Sequence, residues 1–199
     1  MKKRFFLCVM LMLSSLGLWA QRDSVKMEVP ARTWNVKSAI EVESLVPMFM
    51  TGGFHVGIGY RFDRFRVRLS VINGGSYDAE KAGINNSSND FKRFYKTSPG
   101  FFFGYNVWRN LELYSYLELH TFEIEQKSTG IRKNLYSTDT GLGLSYQFFI
   151  GNVFYIQPGL HLYLRKRTGI DFETARYTIP GADFSPVLRL GARLWSKSK

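Results

Sequence analysis

From Lys37 onward, apolar and polar residues alternate with period two almost throughout, the pattern of strands with two unlike faces and not of helices. Eight segments carry it. Ala39 to Phe49 sets Ile40, Val42, Val46 and Met48 against Glu41 and Glu43, and Gly53 to Phe62 sets Phe54, Val56, Ile58, Tyr60 and Phe62 against His55, Gly57, Gly59 and Arg61. In the third, Phe65, Val67, Leu69 and Val71 oppose Arg66, Arg68 and Ser70; Pro99 to Trp108 makes the fourth. The fifth, Leu111 to Lys127, opposes Leu111, Leu113, Leu117 and Leu119 to Glu112, Tyr114, Tyr116, Glu118 and His120. Thr140 to Arg167 supplies the sixth and seventh, with Gly141, Gly143, Ser145, Gln147, Gln157, Gly159 and His161 on its polar row. Ser185 to Trp195 closes the set, Leu188, Leu190, Ala192 and Leu194 facing away from Arg189, Gly191 and Arg193.

Connections at Asp63 and Arg64, Arg109 and Asn110, and Gly151 and Asn152 are tight, whereas Asn73 to Ser98, Ser128 to Asn134 and Arg165 to Phe184 are long and polar. This asymmetry predicts an all-β, eight-stranded antiparallel up-and-down barrel crossing a bilayer, with tight turns in the periplasm and long loops outside. Pro47 and Pro158 fall within proposed strands and predict a bulge or irregularity at each. Glu123 and Glu125 share the apolar row of the fifth strand, which puts that part above the hydrocarbon.

Alternation alone fits a soluble barrel with its apolar row inside as well as a membrane barrel with that row outside. Three features select the second. The strands reach the length of about ten residues that crosses a bilayer at a tilt. Tyr60, Phe62, Phe65, Trp108, Phe148, Phe149, Phe154 and Trp195 gather beside the tight turns, as an interfacial girdle would. Strands five to eight keep charge off the apolar row for most of their length. The lumen then holds Glu41, Glu43, Glu112, Glu118 and Asp139 with Arg61, Arg66, Arg68, Arg189 and Arg193. Eight strands enclose a bore that side chains fill, and unpaired buried charge is costly, so a salt-bridged plug is expected. Closure brings the first strand beside the second and eighth, within reach of pairing Glu41 and Glu43 with Arg61, Arg189 and Arg193.

Composition adds the compartment. Residues 1–20 carry Lys2, Lys3 and Arg4, an apolar run from Phe5 to Leu13, then small residues and Ala20, the layout of a secretory signal peptide and too short to span a bilayer. Its removal takes three cations and no acid, lowering the formal charge from +11 to +8, and it takes Cys8, the single cysteine. Disulfides, thiolate chemistry and cysteine metal sites are thereby excluded from the mature chain. Export removes nucleic acid as a partner. The expected division is a signal peptide at 1–20, a periplasmic segment at 21–36, the barrel at 37–195 and a tail at 196–199.

Signal peptide, strand count, turn asymmetry and the final strand RLGARLW together resemble the small eight-stranded outer-membrane barrels, the group of the outer-membrane protein A transmembrane domain and outer-membrane proteins X and W. The resemblance covers Lys37 to Trp195; Ser196 to Lys199, which follow the terminal aromatic, depart from the usual pattern. It implies residence in a bacterial outer membrane, lipid and lipopolysaccharide as surroundings, and the barrel assembly machinery as partner during biogenesis.

Some barrels of this size are enzymes acting on lipid A, and such chemistry needs a serine beside a histidine base. His55, His120 and His161, with Ser70, Ser115 and Ser145, are the candidates. All three histidines fall on the lumen row, away from any lipid ester, and are expected as filling; their scatter offers no metal-ligand spacing. No catalytic residue, metal or cofactor is assigned. Lys81, Lys92, Arg93, Lys96, Lys127, Arg132, Lys133, Arg165, Lys166 and Arg167 fall near the outer strand ends and loops, where lipid phosphates lie. The expected role is structural, lipid-interacting or surface-binding, with a narrow channel for a small solute as the first alternative and a lipid A-modifying acyl hydrolase or transferase as the second.

Overall fold

Every alternating segment forms a strand, the first only as far as Leu45, because rows of aliphatic and aromatic residues opposite rows of small or charged ones suit a pleated surface with two environments. A computed structural model describes residues 35–78 and 90–199. The expected signal peptide, most of the segment that follows it, and Lys81 lie outside the described residues. The wall is built from β1 (Val36–Leu45), β2 (Gly53–Phe62), β3 (Phe65–Gly74), β6 (Ser98–Trp108), β7 (Leu111–Gln126), β8 (Arg132–Tyr146), β10 (Phe154–Arg165) and β13 (Ala182–Ser198). Each pairs antiparallel with its neighbour, and β13 returns to β1, with Glu41 opposite Arg193, to close an eight-stranded barrel.

Three of the turns are as short as expected. Asp63 at φ 53°, Arg109 at φ 48° and Gly151 at φ 65° adopt the left-handed conformation that reverses the chain tightly. The opposite end is more structured than a set of polar loops. After β1 the chain forms a short helix, α1 (Val46–Met50), with Pro47 in its first turn, where a missing N–H costs nothing. Pro47 therefore ends the strand instead of bulging it, and Met48 is buried beneath Tyr77. The long polar stretch after β3 holds β4 (Ser76–Asp78) and β5 (Phe91–Tyr95), the latter paired to the upper part of β7. The stretch after β10 folds into a hairpin of β11 (Thr168–Asp171) and β12 (Arg176–Ile179).

Pro158 does disturb its ladder. β10 pairs with β8 only from Gly159 onward and, below that, with β9 (Phe148–Ile150) from Ile156, leaving Pro158 opposite an interruption in the wall. At the chain's other end Ser196, Lys197 and Ser198 form no separate tail; they extend β13 and pair with β1 as far as Val36.

The two rows face as a membrane barrel requires. Val56, Ile58, Leu69, Leu113, Leu142, Leu144, Leu160 and Leu190 point outward and are exposed. Along β7 this polarity inverts after Leu119: Phe122 and Ile124 turn inward and are buried, while Glu123 and Glu125 turn outward and pair with Lys96 and Arg132. The inward set joins Phe91, Leu135, Phe172, Tyr177 and Ile179 in a second, water-soluble kind of core above the barrel. Phe122→Ala is expected to weaken this lid locally by about 3–5 kcal/mol, the usual range for truncating a buried phenylalanine. Limited proteolysis checks it: cleavage within 127–131 or 172–175 should accelerate while the barrel itself stays protected.

Candidate functional site

The bore is filled in layers that can be followed up β7, whose inward residues run Glu112, Tyr114, Tyr116, Glu118, His120 and Phe122. At the short-turn end lies a charged layer. Arg66 sits at its centre, with Nε 2.8 Å from Glu41, Nη2 2.7 Å from Glu43 and Nη1 3.3 Å from Glu112. Arg68 bridges Glu43 at 2.9 Å and Glu112 at 3.1 Å; Arg61 reaches Glu112 at 3.3 Å. Arg189 is 3.2 Å from Glu43, and Arg193 is 2.8 Å from Glu41. Arg61, Arg66, Arg68 and Arg189 are no more than 1% exposed.

Five guanidinium groups share three carboxylates in this layer, so aromatic faces take part of the excess. Arg68 lies 4.8 Å from the Tyr114 ring centroid, Arg189 5.4 Å from the same ring, and Arg193 4.4 Å from Phe149. Neutral donors and acceptors complete it: Arg61 donates to Gln147, and Arg66 donates to Gln157 and to the Tyr155 hydroxyl. Glycine makes room for these tyrosines. A Cβ at Gly143 would come within 2.2 Å of the Tyr114 ring, and one at Gly191 equally close to Tyr155.

Above this layer Phe102, Tyr114 and Tyr116 pack around His161, whose ring stacks on Tyr116 at 4.9 Å. Arg189 Nη2 lies 2.8 Å from His161 Nε2. A guanidinium only donates, so Nε2 accepts, the proton sits on Nδ1, and Nδ1–H donates to the Tyr163 hydroxyl. His161 is thus a neutral bridge between the charged and aromatic layers.

Glu118 and Asp139 were expected in one network with the five arginines, but they form a separate cluster nearer the lid. They face each other across β7 and β8, with His120 Nε2 3.5 Å from Glu118 and 3.6 Å from Asp139. Arg165, opposite Asp139 on β10, lies 3.4 Å from it. The strands' rise explains the separation: Glu112 and Glu118 are six residues apart on one strand, roughly 20 Å of chain.

Eight of the ten cations expected to meet anionic lipid divide in their surroundings. Arg93 and Arg165 turn inward, Arg93 stacking 4.8 Å from Phe122 and Arg165 pairing with Asp139, because both share the parity of the buried row. Lys96 pairs with Glu123 and Arg132 with Glu125, while Lys133 donates to the Asp171 carbonyl and Lys92 lies over Phe94. Lys166 and Arg167 are exposed, and Arg167 lines a surface cavity of about 300 Å³ with Thr178, Pro180 and Gly181.

Of the serines weighed with the histidines, Ser115 is on the exposed outer face and Ser145 accepts from Gln157. His55 accepts from the Leu45 backbone N–H. Among the described residues no serine hydroxyl is hydrogen-bonded to a histidine ring, and no group of three His, Cys, Asp or Glu has the arrangement of a metal site.

Tyr155, Gln147 and Gln157 complete the charged layer but were not expected among its members, although their parity with Gly159 and His161 places them on the lumen row. Phe149 also departs from expectation. It leaves the outer girdle and tucks under Arg193 against Tyr155, closing the short-turn mouth of the bore.

The chain matches no family model and no curated protein. Among solved structures, it is similar to the N-terminal β-barrel domain of Pseudomonas aeruginosa OprF, at 15% identity and a TM-score of 0.42 over 79% of this chain and 98% of that one. It is also similar to Neisserial surface protein A, at 13% identity and a TM-score of 0.44 over 78% of this chain and 92% of that one. The attachment invasion locus protein of Yersinia pestis, Ail, is 12% identical, with a TM-score of 0.41 over 80% of this chain and 98% of that one.

Proposed function

We propose that this chain is an integral barrel of a bacterial outer membrane, exported by a cleaved signal peptide and inserted by the barrel assembly machinery. Its bore is closed, and its role is structural, lipid-interacting or surface-binding. The observation that carries the reading is the inversion of polarity: buried arginines and glutamates inside, exposed leucines and phenylalanines outside. An aliphatic outer face of that extent is unstable in water and stable in hydrocarbon.

Closure of the bore is supported by the burial of its charged layer, where Glu41, Arg66 and Glu112 are all 0% exposed and leave no water-sized passage beside them. The lid, with its own apolar core, is a firm platform for contacts outside the cell. Lys92, Lys96, Arg132, Lys133, Lys166 and Arg167 are placed to meet lipopolysaccharide phosphates, Lys166 and Arg167 most directly because they carry no ion pair among the described residues. Equal binding of phosphorylated and dephosphorylated lipid by the refolded protein would remove that contact.

Planar-bilayer recording tests the closed bore. The protein is expected to insert without stable unitary current steps, as its ion pairs leave no hydrated path. Reproducible steps from purified protein would replace the plugged scaffold with a narrow channel.

A further inference from the structure

Exposed positive charge also gathers at the short-turn end, outside the bore. Lys37, Arg64, Lys197 and Lys199 are all exposed there, and among the described residues their one acidic neighbour is Asp63, which pairs with Lys199. At the lid end several cations are set among carboxylates, as in Lys96 with Glu123, Arg132 with Glu125, and Arg176 with Asp171, with Lys166 and Arg167 outside these pairs.

These cations also border the aromatic rim. Arg109 lies 4.6 Å from the Trp108 ring, Arg64 donates to the Tyr105 hydroxyl between Phe62 and Phe65, and Lys197 follows Trp195 by two residues on β13. Trp108 and Trp195 are about half exposed. Amphipathic rings settle at the edge of the hydrocarbon, and long basic side chains just beyond them reach the headgroup layer. The ladder between β1 and β13 holds Lys37 and Lys197 in this ring, since it extends to Val36 and Ser198.

We propose that this basic collar is a docking surface for anionic glycerophospholipid, gripping the phosphodiester headgroups of the leaflet that surrounds the short turns. The proposal rests on the membrane reading above and adds a lipid preference to it. Continuity of the collar with the aromatic rim selects a lipid surface over a soluble acidic polymer, because the same side chains that bear the charge lie against rings half immersed in the apolar belt.

The tryptophans supply the test. Mature protein beginning at Gln21 and carrying Trp34→Phe, so that emission comes from Trp108 and Trp195, is inserted into zwitterionic vesicles. These contain a small, equal fraction of dibrominated phosphatidylglycerol or of dibrominated phosphatidylcholine. Quenching by the anionic lipid should indicate about threefold or greater enrichment at low salt and should fall toward parity as salt screens the collar. Lys37→Gln, Arg64→Gln, Lys197→Gln and Lys199→Gln combined should abolish the enrichment while leaving heat-modifiable migration intact. Should that variant fail to fold, the salt series on the parent still decides. Parity in the parent, enrichment insensitive to salt, or enrichment surviving in the folded quadruple variant would overturn the proposal. So would displacement of the lipid by soluble polyglutamate, which would give the collar to an acidic polymer. Absence of quenching by either lipid would instead sink the membrane reading itself.

Discussion

Arg66→Met is expected to destabilise the folded barrel by about 3–5 kcal/mol, the cost of removing the central donor of a buried ion-pair network. Arg66 touches Glu41, Glu43 and Glu112 together, and it also donates to Tyr155 and Gln157. Its loss leaves carboxylate oxygens of Glu41, Glu43 and Glu112 short of a donor in a space closed to water, although Arg61, Arg68, Arg189 and Arg193 still pair with these residues. Arg66→Lys should recover only a small part, since one ammonium cannot present the planar fork that spans carboxylates from different strands. Arg176→Gln provides the contrast: its pair with Asp171 is largely exposed, and its removal should cost about 1 kcal/mol or less. Urea titration of protein refolded in lipid, followed by heat-modifiable migration, measures all three. A small effect for Arg66→Met would mean that water reaches the charged layer.

Leu144→Arg is the second large effect, expected at about 2–4 kcal/mol, because it places a guanidinium on the outer face within the apolar belt. Leu144 is exposed and pairs with Leu113 and Leu160 on the neighbouring strands, so the change meets lipid on every side. Tyr136→Arg lies on the same row of the same strand, 68% exposed, but opposite Thr121, where β7 has already changed polarity. It should cost about 0.5 kcal/mol or less, as surface substitutions do. Both variants place the same guanidinium at an exposed position of the outer row, Leu144 being 45% and Tyr136 68% exposed. In a water-soluble barrel they would behave alike; in a membrane they should differ by several-fold in urea-midpoint shift.

Period two was sufficient to read the eight strands, their order and the rows facing in and out, because a strand's parity is fixed along its length. Parity alone therefore assigns Glu41, Glu43, Glu112 and the five arginines to one bore. What parity does not carry is height. Glu118 and Asp139 share the lumen row with Glu112 but sit nearer the lid, and only the register of β7, β8 and β10 puts them with His120 and Arg165. Parity also misleads where the surroundings change. Arg93 was read as a headgroup contact because it lies in a basic stretch, yet pairing of β5 to β7 turns it into the lid core beside Phe122. Pro47 stopped its strand because the chain there was free to start a helix, whereas Pro158 stayed in its strand because β13 holds it opposite Leu188.

Lipid contact by the outer row can be measured directly, since residues 21–199 contain no cysteine. Single cysteines at Leu142, Leu144, Asn134 and Tyr136 on β8 would carry a nitroxide spin label, read in vesicles against oxygen, which partitions into hydrocarbon, and a water-soluble nickel chelate. The sealed transmembrane barrel predicts high oxygen and low nickel accessibility at Leu142 and Leu144, with the reverse at Asn134 and Tyr136. Nickel accessibility as high at Leu142 and Leu144 as at Tyr136 would contradict it.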